Sequence, residues 1–172
     1  MNVSQWLLTR AHGYGDLEAS EVRAIEEFSV VWTYFENVVC GKDANVASIR
    51  AAVEKLRESK NGIDVKAFQT ALKHFSERYF PNGHQDGRFD GLKWRKGGEV
   101  AAKEKASEVL TGKATSPSDQ LEALLFITYR LRNNLFHGEK WAYGLKDQMA
   151  NFSSATHTLI NMVDQFEAAG LR

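Results

Sequence analysis

The chain has little cysteine, little proline and no surplus of charge. Its one cysteine, Cys40, excludes an internal disulfide and any zinc site built from several thiolates, and it suits a reducing compartment. The two prolines, Pro81 and Pro117, both fall at the edges of periodic segments, so long stretches remain in which nothing obstructs a helix. Lysine plus arginine equals aspartate plus glutamate at 22 each. The molecule as a whole therefore exerts no long-range pull on a polyanion, and any nucleic-acid contact has to come from a local patch. A long apolar run is also missing. The opening MNVSQWLLTRAHG is too short in apolar residues for a secretory core or a spanning helix, and the expectation is a cytoplasmic protein that enters no membrane.

What is present is a soluble, helical composition. At 172 residues, 43% hydrophobic and 26% charged, the chain can bury about two-thirds of its unfolded surface in one domain without covalent staples. Apolar residues recur at alternating spacings of three and four, the mark of one buried helix face. Ile25, Phe28, Trp32, Phe35 and Val39 form one such stripe. Val46, Ile49, Val53 and Leu56 form a second, and Val65, Phe68, Leu72, Phe75 and Tyr79 a third, with Asp64 placed to cap it. Glu99 to Leu110 is a weaker, alanine-rich candidate. Ser116-Pro117-Ser118-Asp119 is a helix start, and Leu121, Leu124, Leu125, Phe126, Ile127, Leu131 and Leu135 behind it leave few polar faces, which places that helix at the centre. Met149, Phe152, Thr156, Leu159, Val163 and Phe166 mark the last. No alternating β-branched run occurs. The pattern predicts an all-α single domain over residues 1–172, an antiparallel bundle of four to five main helices, with a Gly-rich loop insertion near 82–98.

That insertion, NGHQDGRFDGLKWRKGG, sets Arg88, Lys93, Arg95 and Lys96 beside Phe89 and Trp94 among five glycines. The composition fits an RNA-binding arm and fits a solvated loop or small hairpin equally well. Elsewhere the sequence argues against several chemistries. His12, His74, His84 and His157 are scattered without acidic or histidine companions at metal-ligand spacing, so no metal is expected. Gly13-Tyr14-Gly15 lacks the strand and third glycine of a nucleotide loop, and neither a serine nor a cysteine nucleophile motif occurs. No cofactor is expected.

The unusual stretch is YRLRNNLFHGEK, residues 129–140. An apolar helix ends there in Arg132, Asn133, Asn134 and His137, with Gly138 as its stop. Arg-x4-His by itself is cheap, since chance supplies roughly 0.3 occurrences in this composition, but requiring Asn after the Arg reduces that to roughly 0.015. On a regular helix, residues 132 and 137 differ by about 140° and about 7.5 Å. Convergence thus requires a loosened last turn or a second copy of the helix across a two-fold axis. Imidazole titrates near neutrality and can move protons, and guanidinium offers a charged planar fork that suits phosphate.

The run RNNLFHG resembles the HEPN superfamily, whose signature is Arg, a polar residue, three further residues and His. The resemblance is local to about residues 120–140. It implies a metal-independent endoribonuclease working as a symmetric homodimer, a toxin or phage-defence effector, with Arg132 and His137 catalytic and Asn133 supporting. The expected products carry a 2′,3′-cyclic phosphate and a 5′-hydroxyl. Asn134, Lys140 and Trp141 are the expected RNA contacts, and an antitoxin or nucleotidyltransferase is a possible partner. Where some members carry a tyrosine two residues after the His, which a nucleotidyltransferase modifies, this chain has Glu139. Two blander readings stand beside this one. Arg132 can pair with a carboxylate while His137 caps its own helix, or the domain can be a non-catalytic helical interaction or nucleotide-binding module, a subunit of a defence or nucleotidyltransferase complex.

Overall fold

The computed structural model describes residues 2–95, 97–136 and 145–172. These residues form eight α-helices and no strand: α1 (Val3–Arg10), α2 (Ala19–Val39), α3 (Val46–Glu58), α4 (Gln69–Tyr79), α5 (Gly87–Asp90), α6 (Gly98–Leu110), α7 (Pro117–Phe136) and α8 (Met149–Ala168). The all-α bundle expected from the sequence is therefore present. Six helices have eleven residues or more. The count exceeds four to five because alanine-rich α6, with Ala102 and Ala106 fully buried, packs along α7 as a full member of the bundle. Small side chains let two helix axes approach closely, which compensates for its few large apolar residues.

The stripes become the core. Phe28, Trp32 and Phe35 of α2, Ile49 and Leu56 of α3, Phe75 and Tyr79 of α4, Leu124 and Phe126 of α7, and Phe152, Leu159 and Phe166 of α8 are all at most 2% exposed. Helix α7 packs against α3, α4, α6 and α8 and carries twelve buried residues in twenty, the arrangement of a central helix. Helix α1, which periodicity does not announce, has no buried residue. Its Leu7 edge lies beside Leu17, Ile25, Leu135 and Leu145.

Capping sets the boundaries. The Asn45 side chain accepts from Ala47 N at 2.9 Å and Ser48 N at 3.1 Å, while Ser48 Oγ accepts from Asn45 N at 2.9 Å, a reciprocal pair that starts α3. Asp64 accepts from Lys66 N at 3.0 Å at the head of a short 3₁₀ turn that leads into α4. Helix α8 is tied to the same connection, since Asp64 N donates to Gln165 Oε1 at 2.9 Å and Asn161 Nδ2 to Ala67 O at 3.0 Å.

At the start of α7, Ser116 Oγ accepts from Asp119 N at 3.1 Å, and the Asp119 carboxylate receives Lys105 of α6 and the Ser116 hydroxyl. The Lys105 hydrogen bond, with help from Ser116, holds the Asp119 carboxyl below the usual range against a smaller opposing effect of burial. A depressed carboxyl stabilises the fold above its unfolded value near about 4 and loses that contribution as pH falls through the folded value. Urea unfolding midpoints are expected to drop between pH 5 and pH 3, as ordinary acid titration dictates, and Asp119→Asn is expected to show a shallower drop than the parent.

Candidate functional site

The end of α7 is buried on most sides, and its polar residues take up distinct duties according to helical register. Arg130 and Asn134, one turn apart, share a face that looks onto residues 91–99. Arg130 is only 2% exposed. Its Nε donates to Leu92 O at 3.0 Å, Nη2 to Lys93 O at 2.6 Å and Nη1 to Glu99 Oε1 at 2.9 Å, while Asn134 Nδ2 donates to Gly91 O at 3.1 Å. Three successive carbonyls, 91 to 93, are thereby held by two side chains of one helix. Glu99 completes the brace by accepting Arg95 N through Oε2 at 2.5 Å. Burial draws the Arg130 pKa below the ordinary arginine value, and the Glu99 carboxylate opposes that shift.

Arg132 lies about 200° around the helix from Arg130, on the side facing α2. Its guanidinium carbon sits 5.7 Å from the Trp32 ring and 5.2 Å from the Phe136 ring, within cation–π range of both. Nη1 donates to Asn133 Oδ1 at 3.1 Å, and Nε–H is buried without an acceptor among the described residues. No acidic side chain pairs with Arg132 among the described residues. A guanidinium has five N–H donors, so the contact with Asn133 leaves capacity for an oxyanion.

Of the residues expected from the sequence, Arg132 and Asn133 are thus brought together. Asn134 is not placed for the expected RNA contact in the protomer. It is 3% exposed and its amide is committed to Gly91, because a buried amide must find a backbone partner. His137, Lys140 and Trp141 lie outside the described residues. Leu145 is buried, and the N–H of Asp147 donates at 2.6 Å to Glu21 Oε1 of α2. Glu36 serves the α2–α3 turn by accepting Ala44 N at 3.3 Å.

The 82–98 insertion is neither hairpin nor open arm. It contains α5, its Phe89 and Leu92 are buried at 0% and 1% exposure, and Trp94 Nε1 donates to Phe89 O at 3.3 Å. Residues Arg88, Lys93 and Arg95 stay exposed. The other histidines are dispersed: His74 Nε2 meets Asn151 Oδ1 at 2.8 Å and His157 Nδ1 meets Ser153 O at 2.9 Å. Among the described residues no group of three or more His, Cys, Asp or Glu gathers at metal-binding distance. Burial pushes the Cys40 thiol up to about 12, far from a thiolate nucleophile. No helix of the described residues is long and apolar enough to cross a membrane.

Sequence reasoning missed Arg130. In a run of Leu, Phe and Ile it looks like an interruption, although its spacing of four from Asn134 was a readable sign of a shared polar face. Comparison with protein-family models, with curated proteins and with solved structures gives no match.

Removing the Arg130 fork strands Glu99 and the carbonyls of Leu92 and Lys93. Arg130→Ala is expected to cost about 3–5 kcal/mol in urea denaturation. Arg130→Lys should recover only part of that, because one ammonium cannot reproduce a planar fork on three acceptors. Equal stability of parent and Arg130→Ala would show that the brace is dispensable.

Proposed function

We propose that the chain is a metal-independent endoribonuclease that acts as a symmetric homodimer, with Arg132 and His137 of two facing copies at the scissile phosphate. The observation that carries this reading is the setting of Arg132. It is a half-buried cation flanked by two aromatic rings, with Asn133 on one nitrogen and no acid paired to it among the described residues, on the turn that leads to the sequence position of His137. A guanidinium with no acid beside it among the described residues suits an anion, and the RNNLFHG pattern supplies an imidazole five positions later in sequence.

The chemistry follows from the residue types. One imidazole removes the proton from a ribose 2′-hydroxyl, the oxygen attacks the adjacent phosphorus, and the P–O5′ bond breaks as the second imidazole protonates the leaving oxygen. Arg132 stabilises the charge that builds on the non-bridging oxygens. Asn133 is a positioning residue, since it holds one face of the fork. A toxin or phage-defence role, with an antitoxin or nucleotidyltransferase as regulator, belongs to the same reading.

The test is cleavage of mixed RNA in EDTA by the parent, Arg132→Ala and His137→Ala proteins, with helicity checked by circular dichroism. Cleavage by the parent and losses of about 100-fold or more in each folded variant are expected. Identical activity in all three would mark a contaminant and leave the helical interaction module as the reading to adopt.

A further inference from the structure

Helix α7 ends on an aromatic ring that the bundle does not bury. Phe126 is 0% exposed and Leu135 only 8%, yet Phe136, the last residue of the helix, is 56% exposed. A single apolar residue on a surface needs no explanation by itself, but this one is placed by its register. It lies one turn beyond Arg132 on the same face of α7, and the Arg132 guanidinium carbon sits over its ring, 5.2 Å from the centroid. Arg132 is therefore held between an inner ring, the buried Trp32, and an outer ring that meets solvent.

The two rings differ in what the fold gains from them. Trp32 is a core residue, whereas Phe136 leaves most of its surface in water and contributes little burial. Tyr34, also exposed, has an internal duty that Phe136 lacks: its hydroxyl donates to Glu167 Oε1 at 3.1 Å and Arg172 lies over its ring, which ties the end of the chain to α2. Phe136 carries no polar atom for such a tie. Arg130 and Asn134, on the other face of α7, hold the strap of residues 91–95, so the outer ring stands on an anchored helix end and needs little ordering on binding.

A cation and an exposed aromatic face side by side suit a ligand that repeats the same pairing, a phosphate followed by a base. In single-stranded RNA the base faces are free, and stacking on an aromatic side chain contributes about 1–3 kcal/mol per base. In a duplex those faces are already stacked on their neighbours. We infer that Phe136 is the stacking platform for the nucleobase beside the scissile phosphate, which makes the substrate single-stranded RNA. This inference rests on the nuclease reading and deepens it: Arg132 takes the phosphate, and Phe136 takes its base. A ring without donors or acceptors registers that a base is present, not which one it is.

The experiment separates base from backbone. The full-length protein is titrated against a labelled single-stranded 2′-O-methyl oligonucleotide of mixed sequence, which has no 2′-hydroxyl to attack, and against an abasic strand of the same length. Phe136→Ala should weaken binding of the base-bearing strand about fivefold or more and leave the abasic strand unchanged. Phe136→Leu, which keeps an apolar side chain, should behave like Phe136→Ala, and Phe136→Trp should bind like the parent. Arg132→Ala should weaken both strands and flatten the plot of log affinity against log salt by about 0.7, the signature of one lost phosphate contact. Equal weakening of both strands by Phe136→Ala, or full rescue by Phe136→Leu, would overturn the platform. So would a dimer that dissociates in Phe136→Ala during sedimentation, since the ring would then belong to the contact between copies. Parent-like binding by Phe136→Ala would overturn it too, while cleavage lost in Arg132→Ala would leave the nuclease reading standing. A parent that neither binds the base-bearing strand nor cuts RNA would overturn both.

Discussion

A guanidinium almost wholly withdrawn from water cannot be left short of acceptors, and the end of this bundle is organised around that constraint. Arg130 is placed on the central helix, 2% exposed, where the loss of hydration is large and has to be offset by well-formed hydrogen bonds and a counter-charge. The solution draws in a distant piece of chain. Two carbonyls from the 91–95 strap and a carboxylate from α6 surround the fork, and Asn134 adds a third carbonyl one turn later. What would otherwise be a glycine-rich loop becomes a fixed element of the fold.

The same helix end divides its polar groups between two faces. Arg130 and Asn134 turn toward the strap and satisfy main chain. Arg132 turns toward α2 and rests against Trp32 and Phe136 with Asn133 on its edge. The first pair holds strap carbonyls and Glu99, while among the described residues Arg132 makes one hydrogen bond, to Asn133. That contrast separates the residues that build the site from those available to act in it, which chain proximity alone would have merged into one cluster of four.

Most of the fold was legible because helices with strong three-four stripes announce themselves. Phe28, Trp32 and Phe35, or Phe152, Leu159 and Phe166, need no knowledge of the rest of the chain to declare a buried face. The capping residues Asn45, Asp64 and Ser116 act within a few positions of themselves and are equally local. Legibility failed where structure depends on distant partners. Helix α1 has no buried residue to create a period, α5 is four residues anchored by Phe89 alone, and α6 relies on small side chains that leave a faint pattern. At the site, Arg132 and Asn133 stood out by composition. Arg130 did not, since its acceptors lie between 31 and 38 positions earlier in the chain, and the structural duty of Asn134 follows from the same long-range contact.

The proposed activity is phosphoryl transfer by the His137 imidazole and the Arg132 guanidinium, with the ribose 2′-oxygen as nucleophile. Mass spectrometry of the termini left on a defined RNA by the purified protein in EDTA tests it most directly. The account predicts a 2′,3′-cyclic phosphate on the upstream fragment and a 5′-hydroxyl on the downstream one. A 3′-hydroxyl paired with a 5′-phosphate would contradict it, because those ends require water, not the neighbouring 2′-oxygen, to have attacked phosphorus.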